Sequence, residues 1–178
     1  MDNLKELANE EVVKLVKEKK VGARELTDSG ICPTCFDKEN DNVLYGKTDN
    51  ILYEDDQIYA LLVGNPRAEG HAAVFSKKHF KDMMSLDDEL CSHVFLVSKK
   101  LMRVIKEVYK SESVYICSMC DGPMNHFHAQ LIPRYSDEKR GSKNFVKERK
   151  EYVEDMDKII KIRNLMKKYN RLYLFFML

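Results

Sequence analysis

The stretch Asn125-His126-Phe127-His128-Ala129-Gln130-Leu131-Ile132-Pro133-Arg134 carries two imidazoles and a carboxamide at a spacing of two. Side chains alternate faces along a strand, so an extended conformation puts His126, His128 and Gln130 on one face and Phe127, Ala129 and Leu131 on the other. The second set is apolar and suits a core. The first makes a poor core and a good surface for handling phosphate, because its nitrogens can donate to, or attack, a phosphoryl group. A lone His-x-His is about as often a chance pair on a surface strand, so the weight falls on the rest of the chain.

Upstream, Ser113–Ser118 reads as a neighbouring strand, and Ser85-Leu86-Asp87-Asp88 has the form of a capping box. It should open a helix running to about Tyr109, with Leu90, Val94, Val97, Leu101, Ile105 and Val108 as its buried stripe. Before it, Val43–Gly46, Ile51–Glu54, Ile58–Val63 and His71–Phe75 are short candidate strands separated by Asp/Asn and Gly/Pro breaks, which suggests an antiparallel meander. Leu4, Leu7, Ala8, Leu15 and Val16 predict an N-terminal amphipathic helix stopped near Gly22, followed by a loop over residues 30–41. After the polar break Ser136–Lys143, Val153, Met156, Ile160 and Met166 suggest a lysine-rich C-terminal helix. The apolar run Leu172–Leu178 fits an edge strand, a dimer contact or a lid equally well. The mixed order of short strands and helices points to an α+β fold.

The chain has 178 residues, enough for one domain with a real core. With 30 basic and 29 acidic residues there is no global field to attract duplex nucleic acid or an anionic membrane. Asp2, Lys5, Glu6, Glu10 and Glu11 interrupt any apolar signal core, and no apolar run is long enough to span a bilayer, so a cytoplasmic setting is expected. Five cysteines, an odd number, with two pairs spaced Cys-x-x-Cys, fit metal or thiol chemistry in a reducing compartment better than a disulfide framework.

Cys32-Pro33-Thr34-Cys35 has the spacing of a zinc knuckle, since two thiolates from one tight loop can take adjacent corners of a tetrahedron. The two further ligands are either Cys117 and Cys120, or a histidine pair from His71, His79, His93 and His126. Spacing alone does not choose between them. Val114, Ile116 and Ser118 make the Cys117 region read as strand core.

Together these motifs resemble the histidine triad (HIT) superfamily of nucleotide hydrolases and nucleotidyltransferases. Tyr53-Glu54-Asp55-Asp56 with Tyr59-Ala60 is similar to its early strand signature. Asn65-Pro66, Gly70-His71 and Lys77-Lys78-His79 resemble the next strand–loop–strand unit, and His126 to Arg134 resembles the signature strand. The likeness covers about residues 30–135, leaving 1–29 and 136–178 as flanking helical extensions. It implies a HIT-like antiparallel sheet with a packed helix, a homodimer, and structural zinc on Cys32, Cys35, His79 and His126. It also implies that His71 is packed at the start of its strand and that His93 lies on a helix surface.

The same resemblance implies a nucleotide or dinucleotide substrate, attacked at its α-phosphorus by His128 to give a nucleotidyl–histidine intermediate. Gln130 stands where hydrolase-type members carry a third histidine. A carboxamide donates hydrogen bonds but cannot protonate a leaving group, and this form is typical of the transferases. Hydrolysis of a dinucleoside polyphosphate or related nucleoside phosphate is the leading expectation. Transfer to phosphate or a sugar phosphate comes second, and a zinc-stabilised nucleotide-binding module with little turnover third. Asn65, Gly122 and Asn125 are the expected substrate contacts. Two positions depart from the family pattern: Val63 stands where many members carry a ribose-binding acid, and Asp121-Gly122-Pro123-Met124 replaces a Gly/Gln-rich segment.

Overall fold

The computed structural model describes residues 4–46, 49–120, 122–151, 153 and 155–176, with side chains up to residue 169. Its strands are β1 (Ile51–Glu54), β2 (Ile58–Leu62), β3 (Ala72–Ser76), β4 (Ser113–Cys117) and β5 (His128–Arg134). They form a single antiparallel sheet in the order β1-β2-β3-β5-β4. The expected meander therefore holds only for the first three strands. β5 inserts between β3 and β4, because its inner residues Ala129 and Leu131, with Phe127 just before it, are at most 1% exposed and demand the middle of the sheet. α+β is the correct class.

The helices are α1 (Asn9–Lys17), α2 (Ala23–Asp28), α3 (Pro33–Glu39), α4 (Asp88–Tyr109) and α5 (Met156–Phe176). α4 lies on the inner face of the sheet with the predicted stripe, Leu90 to Val108, buried. Its cap is Asp87, whose carboxylate accepts from the Leu90 N–H at 2.7 Å. Ser85 instead closes a short 3-10 turn with Asp82. α5 packs on α4 and β1 through Ile159, Ile162 and Met166, each at most 2% exposed. Of the predicted stripe, Met156 and Met166 pack on the core, whereas Val153 and Ile160 face outward. The backbone of Leu172–Phe176 continues this helix, which removes the edge-strand reading; residues 177 and 178 lie outside the described residues.

Three N-terminal expectations change. The expected helix divides into a 3-10 turn at Leu4–Glu6 and α1, which ends before Lys19 at φ +56°, and a separate helix starts after Gly22, whose N–H donates to the Glu25 carboxylate at 2.9 Å. The loop expected at 30–41 contains α3, because Pro33 at its first turn has φ already set for a helix and Phe36 is buried. Val43–Gly46 is a turn rather than a strand. Asp41 and Asn42 take positive φ, and Asp37 Oδ1 accepts from the backbone N–H groups of Leu44 and Tyr45, so this backbone is satisfied without a sheet partner.

The core is in two parts. The larger lies between the sheet, α4 and α5; the smaller gathers Leu4, Val12, Val16, Val21, Leu26 and Phe36 around the first three helices. Residues Tyr135 to Lys150 return as a strap along the outer end of β5. Lys147 Nζ donates to Pro133 O, Phe145 meets the Tyr115 ring edge-on, and Arg134 donates to the carbonyls of Tyr135 and Glu138.

Candidate active site and metal centre

β5 begins between two ligand-rich regions. On one side α3 brings Cys32 and Cys35 to His126 and to His79, from the segment after β3. Their ligand atoms all lie within 4.8 Å of one another. His126 Nδ1 is 3.6 Å from Cys32 Sγ and 3.4 Å from Cys35 Sγ, and His79 Nδ1 is 3.5 Å from Cys35 Sγ. A tetrahedral zinc with Zn–S of about 2.3 Å and Zn–N of about 2.05 Å has S···N edges of about 3.6 Å. The spacing is thus that of adjacent corners around one ion.

The buried His126 sends its other ring nitrogen, Nε2, to Ser76 O at 2.7 Å, so that nitrogen carries the proton and Nδ1 offers its lone pair to the thiols. Burial, with the neighbouring Cys32, pushes the Cys35 thiol up to about 12, a state that a bound divalent cation would reverse. The donor set, tautomer and spacing fit a structural ion. Cys117 and Cys120 lie outside this cluster. Cys117 sits opposite Gln130 on β4, and Cys120 is 3.4 Å from Ser118 Oγ.

Two residues further on, His128 has the opposite tautomer. Its Nδ1–H donates to His126 O at 2.9 Å, which leaves the Nε2 lone pair free. The ring is half-buried and stacks on Phe75 at 5.1 Å, which in turn stacks on Tyr59, so an aromatic ledge fixes its plane. Burial lowers the proton affinity of His128, the bond to the His126 carbonyl opposes this, and the charge of Arg149 lowers it further. A neutral imidazole is what a nucleophile at phosphorus requires.

Gln130 Nε2 lies 3.4 Å from His128 Nε2, a long contact that can shift to a phosphoryl oxygen. On its other side stands His71, 1% exposed, which the sequence reading treated as packing at a strand start. His71 Nδ1 accepts the Arg67 N–H at 3.0 Å, so Nε2 must carry a proton; it is buried beside Gln130 without a well-formed partner. Burial first, then the charges of Arg149 and Arg67, hold His71 down to about 4, so it stays neutral. With His71 Nε2–H facing it, the amide oxygen of Gln130 turns toward His71 and its NH2 toward His128. Gly70 shapes this corner: its φ is +73°, and a Cβ there would lie 2.6 Å from the Tyr109 ring.

The expected substrate contacts are arranged differently. Asn125 and Gly122 bond each other, Nδ2 to Gly122 O at 2.9 Å and Gly122 N to Oδ1 at 3.2 Å, so the Asn125 carboxamide closes its own turn. Asn65 is exposed, and its carbonyl accepts from Arg149 at 2.6 Å. Asp121 lies outside the described residues. His93 is not a bare surface residue: it meets Asp55 at 2.7 Å, tying α4 to the β1–β2 turn. Neither Arg67 nor Arg149 was singled out in the sequence. Arg67 lay just beyond the Asn-Pro pair, but Arg149 sits in a charge-rich segment that carries no motif.

A five-stranded sheet backed by α4, with two thiols and two imidazoles gathered behind a neutral, aromatic-stacked histidine, is the architecture of a histidine triad protein. The HIT domain profile matches residues 46–137, and the chain belongs to that family. It is 32% identical over 115 residues to an uncharacterized HIT-like protein of Methanocaldococcus jannaschii, covering 62% of this chain and 85% of that one. An uncharacterized HIT-like protein of Borreliella burgdorferi is 30% identical over 102 residues, 52% of this chain and 73% of the relative. Among solved structures, the fold is similar to a hypothetical histidine triad nucleotide-binding protein from Sulfolobus tokodaii, with TM-score 0.62, 21% identity, and coverage of 79% of this chain and 95% of the other. It is also similar to a Zn-bound histidine triad family protein from Mycobacterium smegmatis, with TM-score 0.56, 17% identity, and coverage of 68% and 86%. Members of this family are typically nucleotide hydrolases or transferases. Among the described residues, no helix is long and apolar enough to cross a membrane.

Proposed function

We propose that this protein is a nucleotide hydrolase that cleaves at the α-phosphorus of a dinucleoside polyphosphate or related nucleoside phosphate, using His128 as nucleophile. The observation that carries this reading is the tautomer of His128. Its Nδ1–H is held by the His126 carbonyl, so the other nitrogen, Nε2, is the one with a lone pair. Attack forms an Nε2–P bond while the P–O bond to the leaving group breaks. Water then attacks phosphorus, the N–P electron pair returns to Nε2, and the water proton passes to solvent. Gln130 donates through its NH2 to a phosphoryl oxygen, with His71 holding the amide by its oxygen. Asn125 and Gly122 shape the loop beside the phosphates, and Asn65 faces the ribose side.

Zinc held by Cys32, Cys35, His79 and His126 would supply folding energy and a fixed anchor for the start of β5. The catalytic unit spans residues 30–135, flanked by 1–29 and 136–178, and works as a cytoplasmic homodimer with its five cysteines reduced. Gln130 favours one second reading, transfer of the nucleotidyl group to phosphate or a sugar phosphate, because such an acceptor needs little proton transfer from the enzyme. Incubation with diadenosine tetraphosphate separates the two. AMP and ATP without added phosphate mean hydrolysis, and ADP formed only with added phosphate means phosphorolysis. No product from either mixture would leave a binding module with little turnover and sink the catalytic reading.

A further inference from the structure

Two arginines that belong to neither the zinc cluster nor the signature strand converge on the same corner. Arg67 is on the β2–β3 loop, and its backbone N–H supports His71. Its Nη1 donates to Lys147 O, while its Nε is buried with no hydrogen-bond partner. Arg149 comes from the strap, beyond the matched domain. Its Nη1 donates to Asn65 O at 2.6 Å, and the next residue anchors the strap through Lys150 N to Pro66 O at 2.6 Å. Desolvation first, and then the charge of Arg67, lower the proton affinity of Arg149, which is exposed overall. Arg149 also acts on the rings of His71 and His128. Among the described residues, no carboxylate lies within ion-pair distance of either side chain. Two like charges on one corner, one of them with its Nε buried and without a partner, and neither paired to a described carboxylate, make a seat for an anion.

Gln130 constrains what that anion is. A departing amine must be protonated, and neither the carboxamide nor a histidine held at about 4 can supply the proton at neutral pH. A departing phosphate leaves as a stable oxyanion and needs only charge stabilisation. We propose that Arg67 and Arg149 form a clamp for a phosphate chain on the far side of the scissile bond, so that the substrate class is a nucleoside polyphosphate rather than a phosphoramidate. The inference rests on the His128 reading and specifies its leaving group. As Nε2 bonds to the α-phosphorus, the bridging P–O electron pair leaves on the polyphosphate oxygen, whose charge the two guanidinium groups take up. An acceptor phosphate in the reverse direction would use the same seat, by microscopic reversibility.

Titration calorimetry with inorganic tripolyphosphate tests the clamp without requiring turnover. The wild-type protein and His128→Ala are expected to bind alike. Arg149→Met should weaken binding by about ten- to a hundredfold, and Arg149→Lys should recover part of it. Arg67→Met should weaken it similarly, with folding checked by thermal melting. Undiminished tripolyphosphate binding in folded Arg149→Met overturns the clamp whatever His128 does. In turnover, the preference for diadenosine tetraphosphate over adenosine 5′-phosphoramidate, as a ratio of kcat/KM, should fall at least about tenfold in Arg149→Met. A wild-type protein that prefers the phosphoramidate overturns the inference but leaves His128 as nucleophile. Normal turnover in His128→Ala overturns the underlying reading instead. Stimulation by added phosphate, with ADP as product, places an acceptor in the clamp; indifference to phosphate places only the leaving chain there.

Discussion

His126 and His128 are two residues apart and differ in almost everything that matters chemically. The first is buried, protonated on Nε2 by its bond to Ser76 O, and turns Nδ1 to two thiols. The second is half-buried, protonated on Nδ1 by its bond to His126 O, and turns Nε2 toward Gln130. One carbonyl in each case selects the tautomer, and the tautomer decides which nitrogen is left to bind an ion or, in the function proposed above, to attack phosphorus. The back region, where the chain enters β5 at His126, is thus built to stay fixed. The front region, further along the same face with His128 and Gln130, holds lone pairs in reserve.

The sharpest way to break this contrast is to remove each imidazole in turn. His128→Ala is expected to lower turnover of diadenosine tetraphosphate by about a thousandfold or more while changing stability by less than about 2 kcal/mol. Near-normal rates would end the nucleophile assignment. Cys35→Ser should do the reverse: bound zinc falls from one per chain to none by metal analysis, and stability drops by about 3 kcal/mol or more in denaturant titration. Retained metal in that variant would show that the four-ligand set is wrong.

Next in size is the pH dependence set by His71. Its folded-state value, about 4, lies below the ordinary 6.5, so the unfolded chain binds the proton first. Its contribution to stability is therefore complete above about pH 6.5 and is lost as pH falls from there toward 4, with a full span of about 3 kcal/mol. Urea titrations between these values should show that loss, reduced in His71→Gln; an unchanged slope in the variant would exclude His71 as its source.

Gln130→His sharpens the contrast in the front region by adding a proton donor. The expected gain is about tenfold in kcat/KM toward adenosine 5′-phosphoramidate, and no gain would mean that leaving-group protonation is not the limit there. The smallest effect belongs to Asn125→Ala, which removes the two bonds to Gly122 and should cost about 1 kcal/mol in thermal melting. A larger fall in kcat/KM than in stability would return Asn125 to the phosphate contacts.

The front and back regions were not equally legible. The back one was read as a complete ligand set through the family resemblance, because a Cys-x-x-Cys knuckle and two motif histidines keep their spacing in the chain. In the front region His128 and Gln130 were legible from strand alternation, but His71 was set aside and Arg149 passed unnoticed. Arg149 reaches Asn65 across 84 positions, through a strap whose path no local pattern announces. The misread N-terminal segments have a similar cause. Asp37 satisfies the backbone of residues 44 and 45 with its side chain, so a stretch with strand-like residues never needed a sheet.

By itself the sequence determined which side chains share each face of β5, where α4 starts and stops, and that Cys32 and Cys35 form a knuckle; the two histidines that join them came only from the family resemblance. The first three follow from the period of a strand, the period of a helix and a short knuckle, all of which act between near neighbours. The tertiary structure alone decided that β5 enters between β3 and β4, that the two imidazoles carry their protons on opposite nitrogens, and that Arg149 of the strap is brought back to the β2–β3 loop that carries Arg67. Each of those outcomes depends on a carbonyl or a charge supplied from a distant part of the chain, and such partners are chosen only when the core closes.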